Sequence, residues 1–191
     1  MIQRRRQTGS GAGGARVWLV PLFALVLLSL AGPAPAQESP PQPLVEAGFI
    51  TKFPLFVTWP DEPWKSGDAP FVVGVMGDAP VREHLVELAR YATIDGSPLV
   101  VLTVADLSEV DSCHLLFIGQ NAGPDLGEIL AAVAGKPILT VSHNEGYAER
   151  GVHINFYIED EYVRFEINQR SSEAAQLTVS FRLKNVARLV D

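Results

Sequence analysis

Between residues 44 and 59 the apolar side chains Val45, Phe49, Phe53, Phe56 and Val57 recur in steps of four, four, three and one. That spacing lays them along one face of a helix. Pro54 falls inside the run, where it deletes a backbone donor, so the helix is expected to kink or break there. Trp59-Pro60 ends it, because a residue before proline avoids helical backbone angles. Four later segments, 71–77, 99–104, 113–118 and 138–142, are nearly continuous in apolar and β-branched residues. Helical patterns separate some of them: 78–90, with Asp78 as N-cap and Pro80 in its first turn, and 125–134, stopped by Gly135-Lys136-Pro137. Segments 152–158 and 162–167 alternate instead, and Glu159-Asp160-Glu161 joins them as a hairpin turn would. Ala175, Val179, Leu183, Val186 and Val190 then recur at helical spacing, which predicts one long amphipathic helix over 171–190.

Strands apolar on both faces, with helices between them, belong to a parallel sheet covered on both sides. The expected fold class is therefore α/β: a mostly parallel sheet flanked by helices, with a C-terminal antiparallel hairpin and a long C-terminal amphipathic helix.

The first 36 residues follow another logic. Arg4, Arg5, Arg6 and Arg16 precede an apolar run over 17–31, and Ala34-Pro35-Ala36 then offers a small-x-small cleavage site. This is the secretory pattern, and the run is short for a membrane span of about 20 residues. The expected organisation is a signal peptide over 1–36, a proline-rich leader without regular structure over 37–43, and a single domain over 44–191. Cleavage after Ala36 places the domain in the periplasm. The signal carries four of the chain's 15 basic residues and none of its 22 acidic ones, so the remainder has a formal charge of −11. Such a chain repels phosphate backbones and anionic lipid, which argues against nucleic-acid binding.

Candidate chemistry is sparse. His84, His114, His143 and His153 show no metal-ligand spacing, and the single Cys113 permits neither a Cys-x-x-Cys pair nor an internal disulfide. Cys113 reads most simply as a small buried residue. His143 and His153 could converge from neighbouring strand ends with Glu145 close by, but ordinary surface or hydrogen-bonded histidines are the simpler reading. Gly74-Val75-Met76-Gly77 lacks the third glycine of a dinucleotide loop, and Asp78 follows where a pyrophosphate would need bare amides. No nucleophile elbow or phosphate-binding Gly-Lys-Ser/Thr occurs. No catalytic, metal or cofactor set is expected, and the protein reads as a non-enzyme.

Six segments in order carry a resemblance: 46–53 with Phe56-Val57-Thr58-Trp59-Pro60, then 73–78, 113–118, 138–142, 151–156 and 163–168. Together they resemble the YfiR family of periplasmic regulators over nearly all of the mature chain. The resemblance implies a repressor that holds an inner-membrane diguanylate cyclase inactive through its periplasmic domain, controlling cyclic di-GMP and biofilm formation. It also implies an OmpA-like outer-membrane lipoprotein able to sequester the repressor. The family pairs cysteines; here the Cys113 position is kept without partners. Pro54 stands where the family helix has ordinary helix formers.

For a binding protein, Phe49, Phe53, Phe56 and Trp59 are the candidate aromatic surface, or else the stripe packs on the sheet. Arg164, Glu166 and Asn168 alternate along one strand and share a face. That face either lines a cleft or is the solvent side of an edge hairpin, and Asn168 is also placed to cap the following helix. A sensor kinase is an alternative membrane partner, and a homodimer fits an exposed apolar helix. Two rival classes remain: a small-ligand sensor or carrier with a cleft at the strand carboxyl ends, and an enzyme with a site scattered in sequence.

Overall fold

The computed structural model describes residues 40–66 and 69–191; the expected signal peptide and the first part of the leader lie outside them. Helix α1 spans Gln42–Ile50, starting inside the expected leader, with Pro43 in its first turn where a missing N–H is harmless. The helix does not continue through Pro54. The chain re-forms as a single 3-10 turn, Phe53–Phe56, with the proline near its start, and leads into the short strand β1, Val57–Thr58. The helix is therefore broken and not kinked, and Pro54 sits in the first turn of the next element.

The sheet grows outward from β2 (Phe71–Met76). Helix α2 (Ala79–Ala89) follows it, capped by the Asp78 side chain on the Val81 N–H. Next come β3 (Thr93–Ile94), β4 (Ser97–Thr103) and β5 (Leu115–Ile118). Helix α3 (Leu126–Val133), closed by an Asp125–Glu128 capping box, leads to β6 (Leu139–Ser142). β7 (Ile154–Glu159) and β8 (Tyr162–Asn168) form the hairpin. With the C-terminal strand β10 (Arg188–Val190), the described residues make one sheet in the order β10-β8-β7-β6-β5-β2-β4-β3. The β7–β8 and β3–β4 pairs are antiparallel and the rest are parallel.

The sheet buries a different cluster on each face. Ile50, Phe53, Val81 and Leu85 pack with Phe71, Phe117, Val141, Phe156 and Phe165 on the α1–α2 side. Leu126, Ile129 and Val133 of α3 pack with Met76, Leu116 and Ile118 on the other. Cys113, just before β5, is free and buried in this second cluster, and burial pushes its thiol pKa up.

The long helix expected over 171–190 does not form. In its place stand α4 (Gln169–Ala174), β9 (Thr178–Val179), α5 (Phe181–Lys184) and β10. Gln176 at φ +60° breaks the helical path after one and a half turns. The β-branched Thr178 and Val179 pair antiparallel with β1, and Ser180 caps the next turn. Ala175, Val179 and Leu183 are buried as the periodicity demands, but Val186 is 68% exposed. The helical spacing was thus met by a chain that changes direction twice.

The hairpin turn carries a testable strain. Asp160 and Glu161 have φ of 51° and 66°, the left-handed region a two-residue hairpin loop requires and side chains resist. Glu161→Gly should raise the unfolding free energy by about 0.5–1 kcal/mol, since relief of strain exceeds the added unfolded-state entropy. A urea midpoint that falls instead would refute this.

Candidate functional site

At the point where chain order reverses across the sheet, between β2 and β5, α/β folds commonly leave a ligand crevice. Here it is closed. Gly77, at φ +79°, lies so near the backbone of Asn121 and Ala122 that a Cβ would collide with both, and a Cβ on Gly119 would collide with Asp78. Glycine at these two positions lets the β5–α3 loop seal the crevice.

Polar chemistry gathers instead beyond the end of β6. His143 follows Ser142 and faces the same side as Val141, towards α1. Its Nδ1 lies 2.9 Å from Glu46 Oε2 of α1, and its Nε2 lies 3.2 Å from Asp78 Oδ2, the α2 cap. The Nε2 contact is close enough for charge attraction but not aligned as a hydrogen bond. Glu46 is fully buried, and its other oxygen accepts from Gln42 Nε2 at 2.7 Å. Phe117 meets the imidazole edge-on at 5.3 Å. Burial alone would lower the His143 pKa, but the hydrogen bond and charge of Glu46, with the charge of Asp78, outweigh it and leave the pKa raised. Three elements are thereby tied by one side chain.

His153 does not join His143. Its Nδ1 accepts from the Thr140 N–H at 3.0 Å, its own N–H donates to Thr140 Oγ1, and burial lowers its pKa to about 4. His114 is likewise structural: Nδ1 accepts from the Val72 N–H, and burial lowers its pKa.

Beside His143 opens a cleft of about 530 Å³ between the 143–151 loop and the β7–β8–β10 edge of the sheet. It exists because β6 ends early. Pairing between β6 and β7 stops at Ser142–Asn155, while β7 continues against β8 as far as Glu159–Tyr162. The upper half of β7 thus has no strand neighbour on the β6 side. Asn155 and Glu166 sit directly opposite each other on the cleft side, with Asn155 Nδ2 donating to Glu166 Oε1 at 3.4 Å. Arg188 lies 4.1 Å from the centre of the Tyr157 ring and pairs with Glu159 at 3.2 Å and Glu166 at 4.0 Å.

A family model of YfiR/HmsC-like proteins matches residues 44–188 of this chain, from the third residue of α1 to the first residue of β10. The chain belongs to the YfiR/HmsC-like family. The match takes in every element described above except the last two residues of β10 and the start of α1. No curated protein matches the chain.

Within this family member the aromatic stripe packs inward. Phe53 and Trp59 are 1% and 4% exposed, and Phe49 and Phe56 are half-buried. Phe49 and Phe53 stack on each other and pack against Phe156 and Phe165 in stacked, tilted and edge-on contacts, with centroids 5.3–6.1 Å apart. Trp59 closes a second aromatic group edge-on against Trp64 and Phe71. Arg164, Glu166 and Asn168 share a face but divide the work. Arg164 is in solvent near Tyr162, and Glu166 lines the cleft. Asn168 caps α4 through Oδ1 on the Ser171 N–H and donates from Nδ2 to the Ala148 carbonyl. Sequence reasoning missed Glu46 and Asn155. A carboxylate one turn before Ile50, on the buried side of an apolar helix, was the available signal for Glu46.

Proposed function

We propose that this protein is a periplasmic regulatory binding protein that represses an inner-membrane diguanylate cyclase by binding the cyclase's periplasmic domain. Cyclic di-GMP and biofilm formation are then under its control, and the protein itself catalyses nothing. Family membership over residues 44–188 is the observation that carries this reading. The N-terminal secretory pattern agrees with it. Among the described residues no helix is long and apolar enough to cross a membrane. An OmpA-like outer-membrane lipoprotein is the proposed sequestering partner.

Contact is expected at the C-terminal edge, where Phe181, Val186 and Leu189 are 76%, 68% and 52% exposed and β10 leaves one edge unpaired. Deleting the gene should raise cellular cyclic di-GMP, and re-expression should restore it. A double variant, Phe181→Glu with Val186→Glu, should fold normally yet fail to restore it and fail to retain the cyclase in a pull-down. Unchanged cyclic di-GMP in the deletion strain would sink the cyclase reading. Retention of a sensor kinase instead would redirect it.

A further inference from the structure

Four buried side-chain polar atoms among the described residues lack a hydrogen-bond partner: Trp59 Nε1, Trp64 Nε1, His143 Nε2 and Asn155 Oδ1. The two indoles belong to the Trp59–Trp64–Phe71 cluster, and His143 Nε2 has the Asp78 charge beside it. Asn155 Oδ1 is different. It can only accept, whatever the protonation state, and it belongs to a residue 1% exposed that lines the cleft beside β7. Its orientation is fixed by chemistry: Nδ2 donates to the Glu166 carboxylate, and a flipped amide would set oxygen against oxygen. A buried carbonyl oxygen without a donor costs about 1–3 kcal/mol, a cost that an N–H or O–H brought to it would offset.

The charge around that oxygen selects which kind. Glu145, Glu149 and Glu166 line the same cleft. Glu145 and Glu149 make no ion pair among the described residues, and both are exposed at the rim. Arg188, the cleft's arginine, is held against Glu159 and the Tyr157 ring and reaches Glu166 only at 4.0 Å. His143, which also lines the cleft, is held between Glu46 and Asp78, so the net field stays negative. A metal ion does not suit it, since no group of three or more His, Cys, Asp or Glu among the described residues converges as metal ligands do. A cation that spreads several N–H donors over separated acceptors does suit it. The volume, about 530 Å³, lies in the range of small-molecule sites. The unpaired edge of β7 adds backbone groups for the rest of such a molecule.

We propose that the cleft beside β7 binds a small organic cation, an amine or guanidinium compound, with its charged nitrogen set against Glu166 and the rim glutamates and one N–H donated to Asn155 Oδ1. This does not depend on which protein partner the family member represses.

The test is calorimetry and thermal denaturation of the purified protein with putrescine, cadaverine and agmatine, at constant ionic strength. Glutarate and 1,4-butanediol are the charge-reversed and uncharged controls. At least one cation should bind saturably at one site and raise Tm, while both controls do nothing. Glu166→Gln should weaken that binding about tenfold or more. Asn155→Leu, which removes the orphaned acceptor, should abolish it while circular dichroism stays native. Should either variant fold poorly, Glu145→Gln with Glu149→Gln, both on the surface, should still weaken binding severalfold. Three results would overturn the proposal: no cation binding above the controls, equal binding by all these variants, or a fixed water on Asn155 Oδ1 in a crystal grown with saturating agmatine.

Discussion

Replacing Glu46 by alanine is expected to remove about 3 kcal/mol of stability, since breaking one side of a buried ion pair leaves the other charge without its partner. The loss follows from geometry: Glu46 is fully buried, and its two oxygens serve Gln42 and His143. Without the carboxylate, His143 retains Asp78 alone, at a contact that is not a hydrogen bond. Glu46→Gln separates shape from charge and should cost less. The pH dependence distinguishes the variants further. A histidine whose folded pKa lies above its unfolded value of about 6.5 stabilises fully below that value. Its contribution is lost as pH rises through the raised folded pKa. The native protein should therefore lose stability from about pH 6.5 upward, with a slope that Glu46→Gln flattens. Urea denaturation across pH 5.5–8.5 measures both effects, and parallel curves for the two proteins would show that His143 is not held charged by Glu46.

Acid should destabilise the fold by a separate route. His153 is buried with its pKa lowered to about 4, mainly by desolvation and in spite of a bond with the Ser171 backbone. A proton on Nδ1 would also break the bond from the Thr140 N–H. The sign is opposite to that of His143. Here the neutral form is favoured, so stability is complete above about pH 6.5 and is lost as pH falls towards 4. The loss amounts to about 3 kcal/mol, at 1.36 kcal/mol per unit. His153→Gln keeps an acceptor within reach of Thr140 and cannot titrate. Its stability between pH 6.5 and 4 should fall less steeply than that of the native protein. An identical slope would mean that carboxylate protonation alone drives acid unfolding. Together the two histidines set a stability maximum near neutrality.

These groups show where sequence reasoning succeeds. The expectation of a strand at 138–142 matches Leu139–Ser142, and that of a helix at 125–134 matches Leu126–Val133. Both follow from local pattern and capping. Thr93–Ile94 pairs across the local Asp95-Gly96 turn, whereas Thr178–Val179 and Arg188–Val190 are strands for a different reason: distant partners hold two or three residues extended. No local periodicity encodes that, and the C-terminal segment satisfied a helical spacing while folding otherwise. The site was less legible still. Asp78 was readable as a cap, but its second role opposite His143 depends on where α2 starts relative to the end of β6. Glu46 and His143 stand 97 positions apart, and the cleft exists because β6 stops short of β7. Glu166 was readable as sharing a face with Arg164 and Asn168, though not which of the three would meet Asn155.

The pairing of β1 with β9 has a consequence for the order of assembly. Val57 meets Val179, and the Ser180 N–H donates to the Phe56 carbonyl, so the first strand described waits for nearly the last. Neither can settle while the chain is still emerging, from a ribosome or across a membrane. The parallel strands can gather earlier, but β1 and β9 must close on each other afterwards. A domain latched in this way keeps β1 unfinished until residues 178–180 have emerged, and a chain without that closure is easier to thread through a narrow channel than one already latched.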